Sequence, residues 1–212
     1  MPRKHTPMAL WQLWQTLSQI EQSHWDRQRL VAGVDEVGRG PLAGPVVAAA
    51  VILDPSSPIL GVHDSKLLSA HQRASLYPEI LSRALSVGVG MVGPRTIERI
   101  NILEASRQAM QRALSALSVV PDVVLTDAMR VHGDWRVEAL VHGDRLSVSI
   151  GAASIVAKVI RDRYMDALDA TYPDYGFSQH KGYPTLQHRA ILAQMGPTPC
   201  HRATFHWEYR QG

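Results

Sequence analysis

Two apolar segments joined by a glycine-rich turn constrain the fold of this 212-residue chain more than any other feature. Leu30 to Val34 and Val46 to Leu53 have the composition of β-strands, and the turn at 38–44 separates them. Because so short a connection joins neighbouring strands, we predict an antiparallel hairpin. The hairpin is the start of the predicted sheet.

The remainder of the chain alternates between strand-like and helix-like patterns. Further strands are predicted at 87–92, 123–125 and 137–141, and helices at 8–22, from 69 onwards, and at 101–117, 152–170 and 185–195. Pro78 is expected to kink or interrupt the helix that starts at Ser69. Asn101 is expected to cap the clearest helix, with Glu104 in a variant of the capping box. This order predicts an α/β fold, with helices on the faces of a mixed sheet.

Composition indicates one compact domain. Hydrophobic residues make up 45% of the chain and charged residues 19%, so a sizeable core forms and wholesale disorder is excluded. The single cysteine, Cys200, cannot form an internal disulfide, which fits a reducing interior. The most apolar stretch, 41–53, is interrupted by glycine and proline and is too short to span a bilayer. We therefore expect a cytoplasmic protein that does not associate with membranes.

The charge of the chain is weakly informative by itself. A net charge of +3 and a pI of about 9.2 favour polyanionic partners only slightly. From residue 177 to 212 the single acidic residue is Glu208, against one lysine and three arginines. Such a stretch is usually a solvated surface, and it becomes informative only if the rest of the chain handles phosphates.

Three aspartates follow predicted strands: Asp35, Asp127 and Asp144. Sites in open α/β sheets form where strands end. If the first and fourth strands are parallel neighbours, Asp35 and Asp127 lie about 5 Å apart. Oxygen ligands without cysteine or paired histidines favour Mg²⁺ or Mn²⁺. Two such ions, roughly 3.5–4 Å apart, would activate water and stabilise the leaving oxygen of a phosphodiester displacement.

These carboxylates also have a plainer interpretation. An aspartate after a strand is commonly a turn or capping residue, and this is the interpretation we adopt for Asp64, Asp134 and Asp162. Glu36 is a separate difficulty, because adjacent strand residues face opposite sides and cannot both point at one metal from a regular strand. Either the strand bulges at Asp35 and Glu36, or Glu36 contributes from the strand end. Spacing alone leaves metal catalysis open.

The segment 31–47, with Asp35-Glu36 followed by Gly38-Arg39-Gly40, resembles the opening motif of ribonuclease HII, the type 2 ribonuclease H of bacteria. Further motifs follow in the order of that family: Asp64-Ser65-Lys66, Asn101 to Ala105, Asp127 after a short strand, Gly143-Asp144, Ala152 to Val159 with Arg161-Asp162, Tyr175-Gly176-Phe177, and His180 to Thr185. The resemblance covers roughly residues 30 to 207.

The resemblance implies a ribonuclease H-like fold: a mixed five-stranded sheet flanked by helices, with a helical C-terminal extension. Residues 1–29 are then an N-terminal extension, expected to be helical, and residues 30–212 are the catalytic domain with its C-terminal helical region. A four-carboxylate site is also implied. In this chain its members are Asp35, Glu36, Asp127 and Asp144.

Substrate contacts are implied in the same way. Gly38-Arg39-Gly40 is expected to read the ribose 2′-hydroxyl, the group that separates RNA from DNA, because glycine lets the backbone approach a sugar closely. Tyr183 is expected to stack on the sugar of the next, deoxy nucleotide. Without the motif, the glycines are a hairpin turn and Tyr183 a half-buried surface aromatic. Phosphate contacts are expected from four residues, with a solvated surface as the alternative: Ser65, Lys66, Lys158 and Lys181.

The resemblance implies an endonuclease that hydrolyses the phosphodiester 5′ to ribonucleotides, in RNA/DNA hybrids and at single ribonucleotides in duplex DNA. It would use two Mn²⁺ or Mg²⁺ ions and act as a monomer in ribonucleotide excision repair. Two alternatives remain: a nuclease of the same fold that acts on DNA alone, and a nucleic-acid-binding protein without catalysis. Cleavage of an all-DNA duplex would mark the first, and tight metal-independent binding without cleavage would mark the second.

The chain departs from the family pattern at two places. Asp127 is followed by Ala128-Met129, where many relatives carry Gly-Asn, and His142 stands where lysine is frequent. Neither departure removes a carboxylate. Both can alter the electrostatics of the metal site or the position of a strand.

Overall fold

The computed structural model describes residues 6–127, 129, 131, 133 and 135–206, and its centre is a five-stranded sheet. The strands are β1 (Val31–Val37), β2 (Val46–Ile52), β3 (Ser86–Val92), β4 (Val123–Asp127) and β5 (Arg136–Leu140), arranged in the order β3-β2-β1-β4-β5. The helices are α1 (Pro7–Leu17), α2 (Gln19–Trp25), α3 (Ala70–Arg83), α4 (Pro94–Ser115), α5 (Val148–Thr171), α6 (Phe177–His180) and α7 (Leu186–Met195).

The sheet is mixed, as the sequence predicts. β1 and β2 form the antiparallel hairpin, and β3 continues it on the other side of β2. β4 runs parallel to β1, and β5 runs parallel to β4. The first and fourth strands are therefore parallel neighbours, which confirms the premise on which the proximity of Asp35 and Asp127 depends.

Both faces of the sheet are covered, because β2 is buried along its whole length and a strand of this kind needs a layer on each side. Its odd-numbered residues, Val47, Ala49 and Val51, pack in one core cluster with Ile155 and Val156 of α5. Its even-numbered residues pack in a second cluster with α4, which contributes Ala105, Ala109, Met110 and Ala113. The strand period of two thus divides the core into two layers.

Three helices differ from their predicted form. The predicted leading helix is divided at Ser18 into α1 and α2. Pro78 lies inside α3, which continues to Arg83 without a break. α4 begins seven residues before Asn101, whose φ of 64° and ψ of 168° interrupt the helix. The Asn101 side chain accepts the N–H groups of Leu103 and Glu104, so the predicted cap is confirmed, whereas the preceding turns at 94–100 were not predicted.

The N-terminal helices pack against the rest of the chain. Trp14 and Leu17 of α1 are buried in the same core cluster as α5. Glu21 of α2 is buried as well, and its carboxylate accepts the N–H of Ser149 at 2.9 Å, at the start of α5. Among the described helices, none is both long and apolar enough to cross a membrane.

Candidate metal and nucleic-acid site

Two carboxylates meet where the parallel strands β1 and β4 end. The pairing of the two strands runs from Val31–Val123 to Val34–Thr126, and Asp35 and Asp127 are the next residue on each strand. The N–H of Gly143 donates to Asp127 Oδ1 at 2.9 Å. This bond links the end of β4 to the short 3₁₀ helix Gly143–Arg145, which carries the third predicted aspartate, Asp144.

Asp35 is the most strongly perturbed acid at this edge. Its side chain is buried, and burial together with the charge of Glu36 raises its pKa well above the usual range. The charge of Asp127 acts in the same direction, while a hydrogen bond from Ser154 opposes the shift. Asp35 therefore resists ionisation in the absence of a compensating cation.

Glu36 is perturbed in the same direction. Burial raises its pKa to about 7, the Arg39 guanidinium opposes this rise, and the charge of Asp127 adds to it. Arg39 Nη1 lies 3.5 Å from Glu36 Oε1. Asp35, Glu36 and Asp127 thus form one interacting set of charges.

The backbone at Glu36 is regular. Asp35 pairs with Ala49 and Glu36 with Ala48 in an unbroken antiparallel register, whereas a bulge would oppose two residues of β1 to one of β2. The suggested bulge is therefore wrong. Glu36 is the last residue but one of β1. The alternative in which Glu36 contributes from the strand end is the one consistent with this register.

The fourth carboxylate is held by a lysine. Asp144 is buried, and its Oδ2 lies 3.0 Å from Nζ of Lys66. Among the residues that the structure describes, no three acidic, histidine or cysteine side chains are close enough together to hold a metal ion. The charges of Asp35, Glu36 and Asp127 thus interact, and Asp144 is paired with the ammonium group of Lys66.

The donor set fits a divalent cation. The site offers carboxylate oxygens only, which are the ligands that Mg²⁺ and Mn²⁺ prefer. Burial and mutual repulsion raise the pKa of both Asp35 and Glu36, so ionising both acids would leave negative charge that the neighbouring groups do not neutralise. A bound cation would compensate this charge.

Two serine hydroxyls form a hydrogen-bonded chain to Asp35: Ser154 of α5 bonds to Asp35, and Ser65 of the 3₁₀ helix Ser65–Leu67 bonds to Ser154. The hydroxyls of Ser65 and Ser154 lie 2.7 Å apart. Both serines are buried, so Ser65, predicted as a phosphate contact, here belongs to the support of a carboxylate. Ser154 was not predicted as a site residue. Its signal in the sequence is a lone hydroxyl within an otherwise apolar stretch of helix.

The other predicted phosphate contacts are lysines engaged by acids. Lys158 Nζ lies 2.7 Å from Asp162 Oδ1, one helical turn away, and Lys181 forms an ion pair with Asp166. Asp64 accepts the N–H of Lys66 at 2.9 Å, which confirms its interpretation as a capping residue.

Of the remaining predicted residues, Asp162 lies in the middle of α5, where it forms an ion pair with Lys158, so its interpretation as a turn or capping residue is wrong. Asp134 and Ala128 lie outside the described residues. Met129 is buried against the α4 side of the core, and His142 adopts a left-handed conformation with φ of 59°.

The turn after β1 contains two glycines in different surroundings. Gly38 has φ of +95°, and a Cβ added there would lie 2.2 Å from Nε of Arg161. A Cβ on Gly40 would meet only Cε1 of Tyr183, at 4.0 Å. Tyr183 is 36% exposed. Gly38 is therefore required by packing, whereas a side chain at Gly40 would reach only van der Waals distance of the Tyr183 ring.

Three neutral histidines support the segment that carries Tyr183. Thr198 N–H donates to His201 Nδ1, so the proton of His201 lies on Nε2, which donates to His188 Nε2 at 3.0 Å. His188 therefore carries its proton on Nδ1 and donates to the carbonyl of Tyr183. The ring of His180 stacks on His188 at a centroid distance of 4.1 Å.

Acid is expected to break this chain of histidines. Burial lowers the pKa of both His188 and His201 to about 4. Because both are neutral in the fold and charge near 6.5 when unfolded, their stability contribution is complete above pH 6.5 and is lost between pH 6.5 and 4. The two histidines should therefore contribute a loss of about 2 kcal/mol or more to the free energy of unfolding from pH 7 to pH 5. The raised pKa values of Asp35 and Glu36 act in the opposite direction over this range, so the histidine contribution is measured as a difference between variants.

Urea denaturation at the two pH values measures this difference. On going from pH 7 to pH 5, His188→Asn, which keeps a donor for the Tyr183 carbonyl, should lose less stability than the wild type, and the control His71→Asn, at an exposed position of α3, should change as the wild type does. Equal changes in the wild type and His188→Asn would contradict the account.

Comparison with known proteins agrees with this geometry. The family model of ribonuclease HII matches residues 32–208. A ribonuclease HII from Lactobacillus helveticus is 55% identical over 185 residues, which are 87% of this chain and 74% of the relative. Ribonuclease H2 from Pyrococcus horikoshii OT3 has a similar fold, with a TM-score of 0.72 and 28% identity, covering 84% of this chain and 94% of that one.

A second solved structure, Bst-RNase HIII in complex with Mn²⁺, shares the fold with a TM-score of 0.61 at 20% identity. The match covers 92% of this chain and 69% of that one. These neighbours confirm the predicted ribonuclease H-like fold, with its mixed five-stranded sheet flanked by helices.

Proposed function

The chain belongs to the ribonuclease HII family and is an endoribonuclease, and we propose that it hydrolyses the phosphodiester on the 5′ side of ribonucleotides. The substrates are RNA/DNA hybrids and duplex DNA with single embedded ribonucleotides. One observation carries the proposal: β1, whose last three residues are Asp35, Glu36 and Val37, leads directly into Gly38-Arg39-Gly40. A turn able to approach a sugar therefore lies beside the acids suited to phosphodiester chemistry.

Asp35, Glu36, Asp127 and Asp144 are the residues that would hold two Mn²⁺ or Mg²⁺ ions. When bound, such ions supply an activated water and stabilise the leaving 3′-oxygen, which yields a 5′-phosphate on the ribonucleotide and a 3′-hydroxyl on its neighbour. Asp35 is the buried acid whose charge interacts with both Glu36 and Asp127. Ser154 orients Asp35, and the Gly143 N–H orients Asp127.

Lys66 has two roles in this proposal. Its ammonium group neutralises Asp144 in the metal-free protein, and 72% of its side chain is exposed. Cation binding at Asp144 would release the ammonium for a phosphate oxygen of the substrate. Lys158 and Lys181 would exchange their acidic partners for phosphates in the same way, with Ser65 nearby.

The sugar contacts follow from the proximity of Gly40 to the half-exposed Tyr183 ring. A ribose placed against the turn would meet backbone groups of Gly38, Arg39 and Gly40 at its 2′ position, because Gly40 has no side chain to intervene. The Tyr183 ring would pack on the deoxyribose of the next nucleotide, which has no 2′-hydroxyl. Together these contacts select a junction between RNA and DNA. We expect a monomer acting on nucleic acid in the cytoplasm, in ribonucleotide excision repair.

Asp127→Asn is the variant that tests the site. Asparagine keeps an oxygen for the Gly143 N–H but loses the negative charge, so the fold should be retained. We expect cleavage of a duplex with one ribonucleotide to fall at least about 100-fold, or about 2.7 kcal/mol of transition-state stabilisation. The rate is measured with Mg²⁺ and with Mn²⁺.

The matched control is Asp54→Asn. Asp54 caps a turn just after β2, at the end of the sheet opposite Asp127, where it accepts the N–H of Ser56 at 2.8 Å. Its cleavage rate should equal that of the wild type. Unimpaired cleavage by Asp127→Asn would remove this residue from the metal site.

A further inference from the structure

Two arginines are buried beneath the turn 38–44. Arg161 and Arg202 are 0% and 1% exposed, and within the described residues neither forms an ion pair with a carboxylate. A buried charge without a partner is strongly destabilising, so these guanidinium groups need another form of compensation. Main-chain carbonyl oxygens provide it for both residues.

Arg202 binds the turn at both of its ends. Its Nη2 donates to the carbonyl of Gly38 at 2.6 Å, and its Nη1 donates to the carbonyl of Arg39 at 2.9 Å. Nε and Nη2 both donate to the carbonyl of Gly44, at 3.0 and 2.9 Å. The planar guanidinium group thus holds the carbonyls of Gly38, Arg39 and Gly44 in fixed positions.

The backbone of Arg202 is anchored as firmly as its side chain. Its N–H donates to the carbonyl of Leu42 at 2.8 Å, and the preceding residue, His201, forms an antiparallel bridge with Ala43. The C-terminal region is therefore joined to the turn through its backbone as well as through the Arg202 guanidinium.

The direction of these carbonyls decides the direction of the neighbouring N–H groups. In a planar trans peptide the C=O of one residue and the N–H of the next point in opposite directions, and no peptide bond in the described chain is cis. Because the carbonyls of Gly38 and Arg39 point at Arg202, the N–H groups of Arg39 and Gly40 point away from it. Within the described part of the chain, no acceptor takes either N–H.

Arg161 connects this turn to Tyr183. Its Nη2 donates to the carbonyl of Ala43 and its Nη1 to the carbonyl of Lys181, at 3.1 and 3.0 Å. Its guanidinium carbon also lies 5.6 Å from the centroid of the Tyr183 ring. Arg161 thereby fixes the position of the turn relative to Tyr183. The N–H groups of Arg39 and Gly40 therefore have a fixed position relative to the tyrosine ring.

We propose that Arg202 is a specificity-determining positioning residue, which holds the carbonyls of Gly38 and Arg39 so that the N–H groups of Arg39 and Gly40 form a donor pair for the 2′-oxygen of the ribonucleotide. This inference rests on the proposed function. Charge-assisted bonds to the carbonyls also polarise both peptide groups, which strengthens their N–H groups as donors. Arg202 itself does not touch the substrate.

Arg202→Lys tests the proposal, because lysine keeps the positive charge but lacks the planar fork that reaches three carbonyls. The readout is the ratio of dissociation constants for an all-DNA duplex and the same duplex with one ribonucleotide, measured in Ca²⁺. We expect the preference for the ribonucleotide to fall about tenfold, the equivalent of two ordinary hydrogen bonds, while binding of the all-DNA duplex changes less than about twofold.

The matched control is Arg83→Lys, where Arg83 Nη2 donates to the carbonyl of Pro58 at 2.8 Å, remote from the site. This variant should keep the wild-type preference. A wild-type preference that survives in Arg202→Lys would overturn the role of Arg202 and leave the proposed function intact. A wild type without any preference would instead contradict the proposed function.

A measurement on the wild type covers the case in which Arg202→Lys does not fold. The amide ¹H–¹⁵N signals of Arg39 and Gly40 are followed as each duplex is added. We expect both amide protons to move downfield with the ribonucleotide duplex and to move little with the all-DNA duplex. Signals that stay unmoved with both duplexes, or move equally with both, would overturn the donor pair.

Discussion

Replacing Asp35 with asparagine is expected to reduce cleavage of ribonucleotide-containing duplexes by about 10³-fold, the equivalent of about 4 kcal/mol, and to leave the metal-free protein at least as stable as the wild type. The two effects have one cause. Burial and the charge of Glu36 raise the pKa of Asp35 well above its unfolded value, so its ionised form destabilises the metal-free fold at pH 8. Asparagine removes that charge and, with it, a metal ligand.

Thermal unfolding with EDTA and with Mn²⁺ separates these contributions. In EDTA at pH 8, Asp35→Asn should melt at or above the wild-type temperature. Mn²⁺ should raise the melting temperature of the wild type and have a smaller effect on the variant, because a ligand that binds the folded state stabilises it by mass action. A variant that melts well below the wild type in EDTA would contradict the electrostatic account of this edge of the sheet.

Alanine at the two glycines of the turn is expected to give opposite results. At Gly38, an alanine would have to adopt φ of +95°, and its Cβ would lie 2.2 Å from Arg161 Nε. Left-handed backbone and overpacking together should lower the free energy of unfolding by about 3 kcal/mol. At Gly40, where only Tyr183 is near, alanine should change stability by less than about 0.5 kcal/mol.

The activities of these two variants distinguish folding from recognition. Gly40→Ala should remain folded and yet cleave a single embedded ribonucleotide at least about tenfold more slowly, because its methyl group occupies the space proposed for the sugar, and one lost contact of about 1.4 kcal/mol is enough for this. Urea denaturation and cleavage assays on the same preparations test both variants. A fully active Gly40→Ala would place the sugar elsewhere, and a stable Gly38→Ala would contradict the packing described for Arg161.

The strands and the acids that follow them were predictable because their causes are local, whereas the parallel pairing of β1 with β4 entered the sequence analysis only as a condition. The apolar segments around Asp35 and Asp127 are short and separated by clear turns, and parallel pairing of their strands brings their carboxyl ends together. Asn101 was predictable as a cap because its side chain reaches N–H groups only two and three residues away. The helical turns before Asn101 were missed because a cap normally marks the first turn of a helix.

Contacts between residues that lie far apart in the sequence could not be predicted from the pattern of residue types. Arg202 binds carbonyls more than 150 residues away, and a main-chain acceptor leaves no signature in a sequence. The ion pair of Lys66 with Asp144 and the bond between His188 and His201 also depend on the fold. These contacts determine where Asp144 and Tyr183 are held, so the sequence identified candidate residues of the site but not the groups that position them.

The central claim is that the acids at the end of β1 and the turn that follows them act together on a ribonucleotide. The most direct test incubates the wild-type protein and Mn²⁺ or Mg²⁺ with a DNA duplex that contains one ribonucleotide, and with the same duplex made entirely of DNA. The account predicts a single cut on the 5′ side of the ribonucleotide, with 3′-hydroxyl and 5′-phosphate ends, and an intact all-DNA duplex. Cleavage of both duplexes at similar rates, or of neither, would contradict it.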